Sequence, residues 1–175
     1  MRWKRLLVPH DFSACAEGAL TLAVQLAREF DATVELLHVA DAPLSLPGPD
    51  LARLEGVADA IPLRDYVGHD VSKKLESIAT RLRSRGVATS TTVAIGDIAE
   101  TILEEADERR VDAIVIGTHG RTGLVHLLLG SVAEKVVRGA SVPVVTVRTA
   151  ETAHEDQEEE VSDDVIPLRL DEAGA

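Results

Sequence analysis

The stretch from Val111 to Ser131, VDAIVIGTHGRTGLVHLLLGS, limits the possible folds more than any other part of this chain. Ala113 to Ile116 is an unbroken apolar run, too short for an independent helix and rich in β-branched residues. It reads as a strand buried on both faces. The run breaks at Gly117 into a segment carrying Gly120, Gly123 and Gly130, and a helix restarts at Ser131. A strand that delivers its C-terminal end into a glycine-rich loop and then a helix is how α/β proteins build phosphate sites. Glycine lacks a Cβ and tolerates positive φ, so backbone N–H groups can converge on an anion. The helix start adds unpaired N–H groups and the positive end of a dipole.

The segments before this stretch alternate between two periodicities. Arg5–Pro9 is a short apolar run ended by proline, the first strand. Ser13 or Asp11 is placed to cap a helix whose apolar positions Ala16, Leu20, Ala23 and Ala27, with Ala19, Leu26 and Phe30, recur at helical spacing. Thr33–Val39 is the second strand, which makes a right-handed, parallel βαβ unit. Residues 40–69 hold four prolines and three glycines and predict irregular structure, in a loop long enough to be functional or mobile. Asp70–Arg85 places Val71, Leu75, Ile78, Ala79 and Leu82 on one face of a helix stopped by Gly86. Ala88–Ile95, alternating with threonines, reads as an outer strand. Asp97 with Glu100 three residues on marks the next helix start, with Ile98, Ile102 and Ala106 facing inward. Pro143–Val147 is the fifth strand, and a proline at its first residue suits an edge.

Five strands alternating with four helices predict an α/β fold, an open, doubly wound parallel sheet with helices on both faces. Ligands of such sheets bind outside the C-terminal strand ends, where the winding reverses. If the first and fourth strands are neighbours there, Asp11 faces the Gly117 loop across the crevice.

Composition narrows the rest. Apolar residues are 45% of the chain but aromatics only 2%, so the core must be built from Val, Leu, Ile and Ala. The net charge of −12 is uneven: residues 149–175 hold ten acids against Arg169, a net of −9, which leaves −3 for residues 1–148. The body has no basic stripe for nucleic acid. The tail is expected to be disordered, because like charges repel and too little apolar area offsets ordering. Ile166–Leu170 within it reads as an unstructured end or a short docking segment. The division is therefore a domain over residues 1–148 and an acidic tail over 149–175. Only four of the 18 basic residues are lysines, which suits a salt-adapted cytoplasm or a GC-rich genome equally. No apolar run approaches the roughly 20 residues of a membrane span. No charged-then-apolar leader is evident, and a cytoplasmic location is expected. The single Cys15 excludes an intrachain disulfide framework and a multi-cysteine metal site.

The motifs resemble one known family. Val8-Pro9-His10-Asp11-Phe12-Ser13, followed by Ala16 and Ala19-Leu20, is similar to the start of universal stress proteins. Gly117-x2-Gly120-x9-Gly130-Ser131 resembles the glycine signature of that family's ATP-binding branch, and Ser141-x-Pro-Val-Val-x-Val its closing strand. The resemblance covers about residues 3–148. It implies a Rossmann-like sheet of strand order 3-2-1-4-5. It implies that Asp11 binds ribose hydroxyls, that Pro9 and the Val39 backbone line the adenine pocket, and that Ile116 sits beside the base. Gly117 and Gly120 would let the backbone approach ribose and phosphates, and Gly130, Ser131 and the Val132 N–H would hold the phosphates. The implied ligand is ATP, or AMP or a cyclic adenine nucleotide, with Mg or Mn carried by the nucleotide. It also implies a homodimer seamed along Val142–Val147, whose bare Val/Thr edge would otherwise invite aggregation. His10 departs from the smaller residue often found at that position, which raises the question of whether its imidazole narrows the base pocket.

Each of these residues has a plainer reading. Asp11 can be a helix cap, and Ser131-x-x-Glu134 is also a capping box that would occupy the Ser131 hydroxyl. Gly123 suits loop geometry, and His119 and Arg121 either reach phosphates or lie along the loop. Cys15 reads as a small core residue, His38 as a strand residue satisfied by neighbours, and His126 as a surface side chain. His69-Asp70 is too little for a metal site. There is no GxxxxGK[ST] lysine loop, and the x2, x2 spacing of Gly117, Gly120 and Gly123 does not meet the dinucleotide fingerprint. No carboxylate pair or Ser/His/Asp order stands out. The leading reading is a nucleotide-binding stress or signalling module without rapid turnover, signalling to an unknown protein partner, with neither nucleic acid nor membrane as target. Two alternatives stay open. One is a slow ATPase or nucleotidyl-transfer enzyme, against which HDFSACAE (His10–Glu17) stands where related pyrophosphatases carry SGG-x-D-S. The other is an interaction module with an empty pocket.

Overall fold

The computed structural model describes residues 3–41, 51–52, 61–118 and 129–148. In chain order the elements are β1 (Arg5–Pro9), α1 (Ala14–Phe30), β2 (Thr33–Asp41), β3 (Leu51–Ala52), β4 (Ile61–Pro62) and α2 (Leu63–Arg83). They continue as β5 (Thr89–Gly96), α3 (Ile98–Glu108), β6 (Ala113–Gly117), α4 (Ser131–Gly139) and β7 (Val144–Val147). The main sheet has the order β5-β2-β1-β6-β7 with every neighbouring pair parallel. Counted within the sheet this is 3-2-1-4-5, the order the family resemblance implies, so the winding reverses between β1 and β6.

Strand periodicity divides the core into two layers. Leu6, Val8, Val34, Leu36, Ala113 and Val115 face one side, packed against Leu20, Ala23, Leu75 and Leu82 of α1 and α2. Leu7, Leu37, Ile114 and Ile116 face the other, against Ile102 and Ala106 of α3 and Ala133 and Val136 of α4. Truncating one of these fully buried leucines, Leu7 or Leu36, to alanine would cost about 2–5 kcal/mol. Helix α1 approaches the sheet closely because its buried stripe is Ala16, Ala19, Ala23 and Ala27 around Leu20.

The helix boundaries follow local chemistry. Ser13 has extended backbone, and its hydroxyl accepts from the Ala16 N–H at 3.2 Å, so Ser13, not Asp11, caps α1. Asp97 accepts from the N–H groups of Ala99 and Glu100 and caps α3. Gly86, at φ 78°, closes α2, with Val87 N–H returning to the Leu82 carbonyl.

Three expectations shift. Helix α2 begins at Leu63, seven residues earlier than its apolar stripe predicts, because Gly68 costs a helix interior only about 1 kcal/mol and does not break it. A short antiparallel pair, β3 with β4, lies in the stretch read as irregular. Strand β7 begins at Val144; Pro143 precedes it at the sheet edge, its carbonyl accepting from Ile114 N–H at 3.0 Å. The acidic tail 149–175, and His119, Gly120, Arg121, Gly123 and His126 with their assigned roles, lie outside the described residues, as does the side chain of His69.

Candidate functional site

Beyond β6 the chain makes two bonds that define the site. Thr118 N–H donates to the Val147 carbonyl at 2.8 Å, and Gly130 N–H donates to the Thr118 carbonyl at 2.7 Å. The excursion between them therefore starts and ends at the same strand tip, and α4 starts there. Gly130 occupies the cap position of α4 with φ −70° and ψ 156° and, having no side chain, gives the first N–H groups of the helix no side-chain cap bond. The capping box read into Ser131 and Glu134 does not form. The extended backbone that a cap requires falls at Gly130, so Ser131 is already the first helical residue. The Glu134 carboxylate instead accepts from Arg138 Nε at 3.0 Å.

On the α3/α4 face, three predicted site residues converge. Ile116 is buried, and Val39 of β2 and Val132 of α4 pack in the same apolar cluster with Ile98. Beside them lies a cavity of about 140 Å³, lined by Asp41, Asp97, Ile98, Ala99, Ser131, Val132 and Lys135. Asp41, Asp97 and Lys135 were not singled out as site residues by their sequence. Their signal was indirect, since Asp97 was legible only as a cap and Asp41 only if β2 runs two residues past Val39. Lys135 Nζ stands 3.7 Å from Asp97 Oδ2 across the two helix starts. The Glu100 N–H bond, helped by the Lys135 ammonium, holds the Asp97 carboxyl below the usual carboxylate range.

The tip of β1 stands beside β6, and no residue of β1 or of the turn after it lines that cavity. Leu6 and Leu7 pair with Ala113 and Ile114, so Pro9 and the turn after it rise beside the end of β6. Pro9 is half-buried at the end of β1. Asp11 is half-buried too, its Oδ1 accepting from Ser13 N–H at 3.0 Å. That bond fixes the turn one residue before the cap. Gly117 is explained from the α1 side: a Cβ there would lie 2.9 Å from the carbonyl carbon and the Cβ of Cys15. Cys15 is accordingly a small, half-buried packing residue at the start of α1.

His10 points toward α1, where Glu17 stands. Its Nδ1 accepts from Phe12 N–H at 3.2 Å. Nε2 makes no firm hydrogen bond among the described residues, with Glu17 Oε1 3.5 Å away. Burial pushes the His10 pKa down, against the opposing pull of Glu17 and Asp11. His38 is satisfied by its neighbours as expected, its Nδ1 standing 2.8 Å from the His10 carbonyl. Phe12, at φ 66°, sets its ring 5.2 Å from His10 and 5.1 Å from His38. This cluster was invisible in the sequence apart from the unusual His10.

The model of the universal stress protein family matches residues 2–148. This chain belongs to that family. It is 34% identical over 146 residues to the universal stress protein MJ0531 of Methanocaldococcus jannaschii, covering 83% of this chain and 82% of that one. The solved structure of MJ0577 from the same organism superposes with a TM-score of 0.70 at 27% identity, over 87% of this chain and all of the other. A universal stress protein in complex with cAMP shares the fold with a TM-score of 0.59 at 20% identity, over 86% of this chain and all of that one. Like other universal stress proteins, the chain pairs a parallel sheet of order 3-2-1-4-5 with helices on both faces. Among the described residues no helix is long and apolar enough to cross a membrane.

Proposed function

We propose that this universal stress protein binds an adenine nucleotide, ATP or alternatively AMP or a cyclic adenylate, in the crevice between the tips of β1 and β6. The observation that carries the reading is the Thr118–Gly130 bond, which sets the uncapped start of α4 against the strand tip. The cap residue offers the N–H groups there no side-chain partner, and the helix dipole favours an anion. Phosphates would be held by Gly130, Ser131 and the Val132 N–H. The base would rest among Val39, Ile116 and Pro9, and Asp11 would accept from ribose hydroxyls. Gly117 and Gly120 would line the approach. Among the described residues no three metal-binding side chains come together, and the proposal places Mg or Mn on the nucleotide's phosphates. The cAMP-bound family member supports an adenylate as ligand. We further propose a homodimer through β7, which among the described strands pairs only with β6. The nucleotide serves as a signal held without rapid turnover, read by a partner protein. The test is calorimetric titration with ATP and AMP, in which saturable binding that Asp11→Ala weakens supports the reading and equal heats from both proteins reject it.

A further inference from the structure

We infer that His10 is the positioning residue of the Asp11 turn: its neutral imidazole accepts the Phe12 N–H, and protonation of Nδ1 unlatches that turn and loosens the nucleotide site. The inference rests on the proposed role of Asp11, but the latch itself is visible without it. Phe12 adopts the left-handed region at φ 66°, which a bulky residue seldom visits unless something holds it. The 3.2 Å bond to His10 Nδ1 and ring contacts to His10 and His38 hold it. Asp11 lies between the two bonded residues, and its own carboxylate is engaged by Ser13 N–H, so the turn from His10 to Ser13 is set as one unit.

The tautomer follows from these partners. An Nδ1 that accepts has no proton, so the neutral ring carries its proton on Nε2, the buried atom directed toward Glu17. A second proton has one place to go, Nδ1, where it confronts the Phe12 N–H with a donor against a donor. The latch bond is then lost and only the ring contacts remain to offset the left-handed Phe12. Among the described residues three titratable groups face the ring: Glu17 from α1 and Asp11 from the turn favour the proton, and His38 from β2 opposes it. His38 is tied to the same unit, since its Nδ1 sits against the His10 carbonyl.

The experiment follows the Phe12 amide and the His10 imidazole nitrogens by NMR in the nucleotide-free full chain, from about pH 7.5 down to pH 5. AMP affinity is measured at the same pH values. His10→Asn is the companion variant: its Oδ1 offers an acceptor where Nδ1 stood, but it does not titrate. The wild type should show the Phe12 amide and His10 Nδ1 moving together. Its AMP affinity should fall roughly fivefold more than that of His10→Asn, the factor an ordinary lost hydrogen bond corresponds to. Protonation of the AMP phosphate is common to both proteins and cancels. A Phe12 amide that ignores His10 titration, or a His10→Asn protein with the same pH profile as wild type, would overturn the latch. Absence of AMP binding at every pH would reject the nucleotide reading instead, and the amide titration would still decide the latch.

Discussion

Gly130 N–H donates to the Thr118 carbonyl at 2.7 Å, closing the base of the β6–α4 connection with a single backbone bond. Gly130 itself has φ −70° and ψ 156°, a conformation open to any residue, so backbone strain does not demand glycine there. What glycine provides is an empty cap. Gly130→Asp should therefore stabilise the protein by a few tenths of a kcal/mol, since an aspartate caps slightly better than glycine. The same carboxylate would occupy the α4 N–H groups and repel phosphate, reducing adenylate affinity by about tenfold or more. Thermal unfolding and calorimetry on the one variant check both halves, and unchanged affinity would argue against phosphate at α4.

Gly117 should behave in the opposite way. Its missing Cβ faces backbone atoms of Cys15 at 2.9 Å, and backbone cannot swing aside as a flexible side chain would. Gly117→Ala is predicted to destabilise the fold by about 1–3 kcal/mol in urea unfolding, the usual range for overpacking. Wild-type stability in that variant would mean that α1 can slide along the sheet.

These two glycines show how far a sequence reading reaches. The strand, the glycine loop and the helix restart were legible because apolar runs and glycine spacing report backbone geometry directly. The doubly wound class followed from the alternation of elements, and the strand order from the family motifs. The reason for Gly117 was not legible, because it depends on how closely α1 crosses the sheet. That in turn depends on Ala16, Ala19 and Ala23 being small. Ser131 was ambiguous for a similar reason. Cap residues are chosen by backbone ψ, and one position's shift gave the cap to Gly130. Asp41 and Lys135 meet from β2 and α4 beside the start of α3, and His10 and Phe12 meet His38 from the turn after β1 and from β2; spacing along the chain does not encode such meetings.

Stability should depend on pH through His10. In the unfolded chain His10 titrates near the ordinary value of about 6.5, whereas burial holds it lower in the fold. The contribution is complete above that ordinary value and declines as pH falls toward the native titration point, because the unfolded chain takes the proton first. It is fully lost below that point. Urea midpoints measured across this range should decline less steeply for His10→Asn than for wild type. Parallel curves would show that His10 is not buried in solution.

The proposed dimer edge has a selective test. Ile114 N–H bonds the Pro143 carbonyl and Thr118 N–H bonds the Val147 carbonyl, so alternate residues 143, 145 and 147 face β6. Val144 and Thr146 therefore turn their backbone groups outward. Thr146→Pro removes one outward donor and spares the bonds to β6, a change that edge strands tolerate. Sedimentation should show a monomer with near wild-type secondary structure, and a persisting dimer would move the seam elsewhere.

An adenylate held between Asp11 and the start of α4 is tested most directly by calorimetric titration of AMP into wild type and Asp11→Ala. Saturable binding to wild type is predicted, with at least a tenfold loss in the variant, about 1.4 kcal/mol, while its circular dichroism stays unchanged. Equal affinity in the two proteins, or no heat from either, would contradict it.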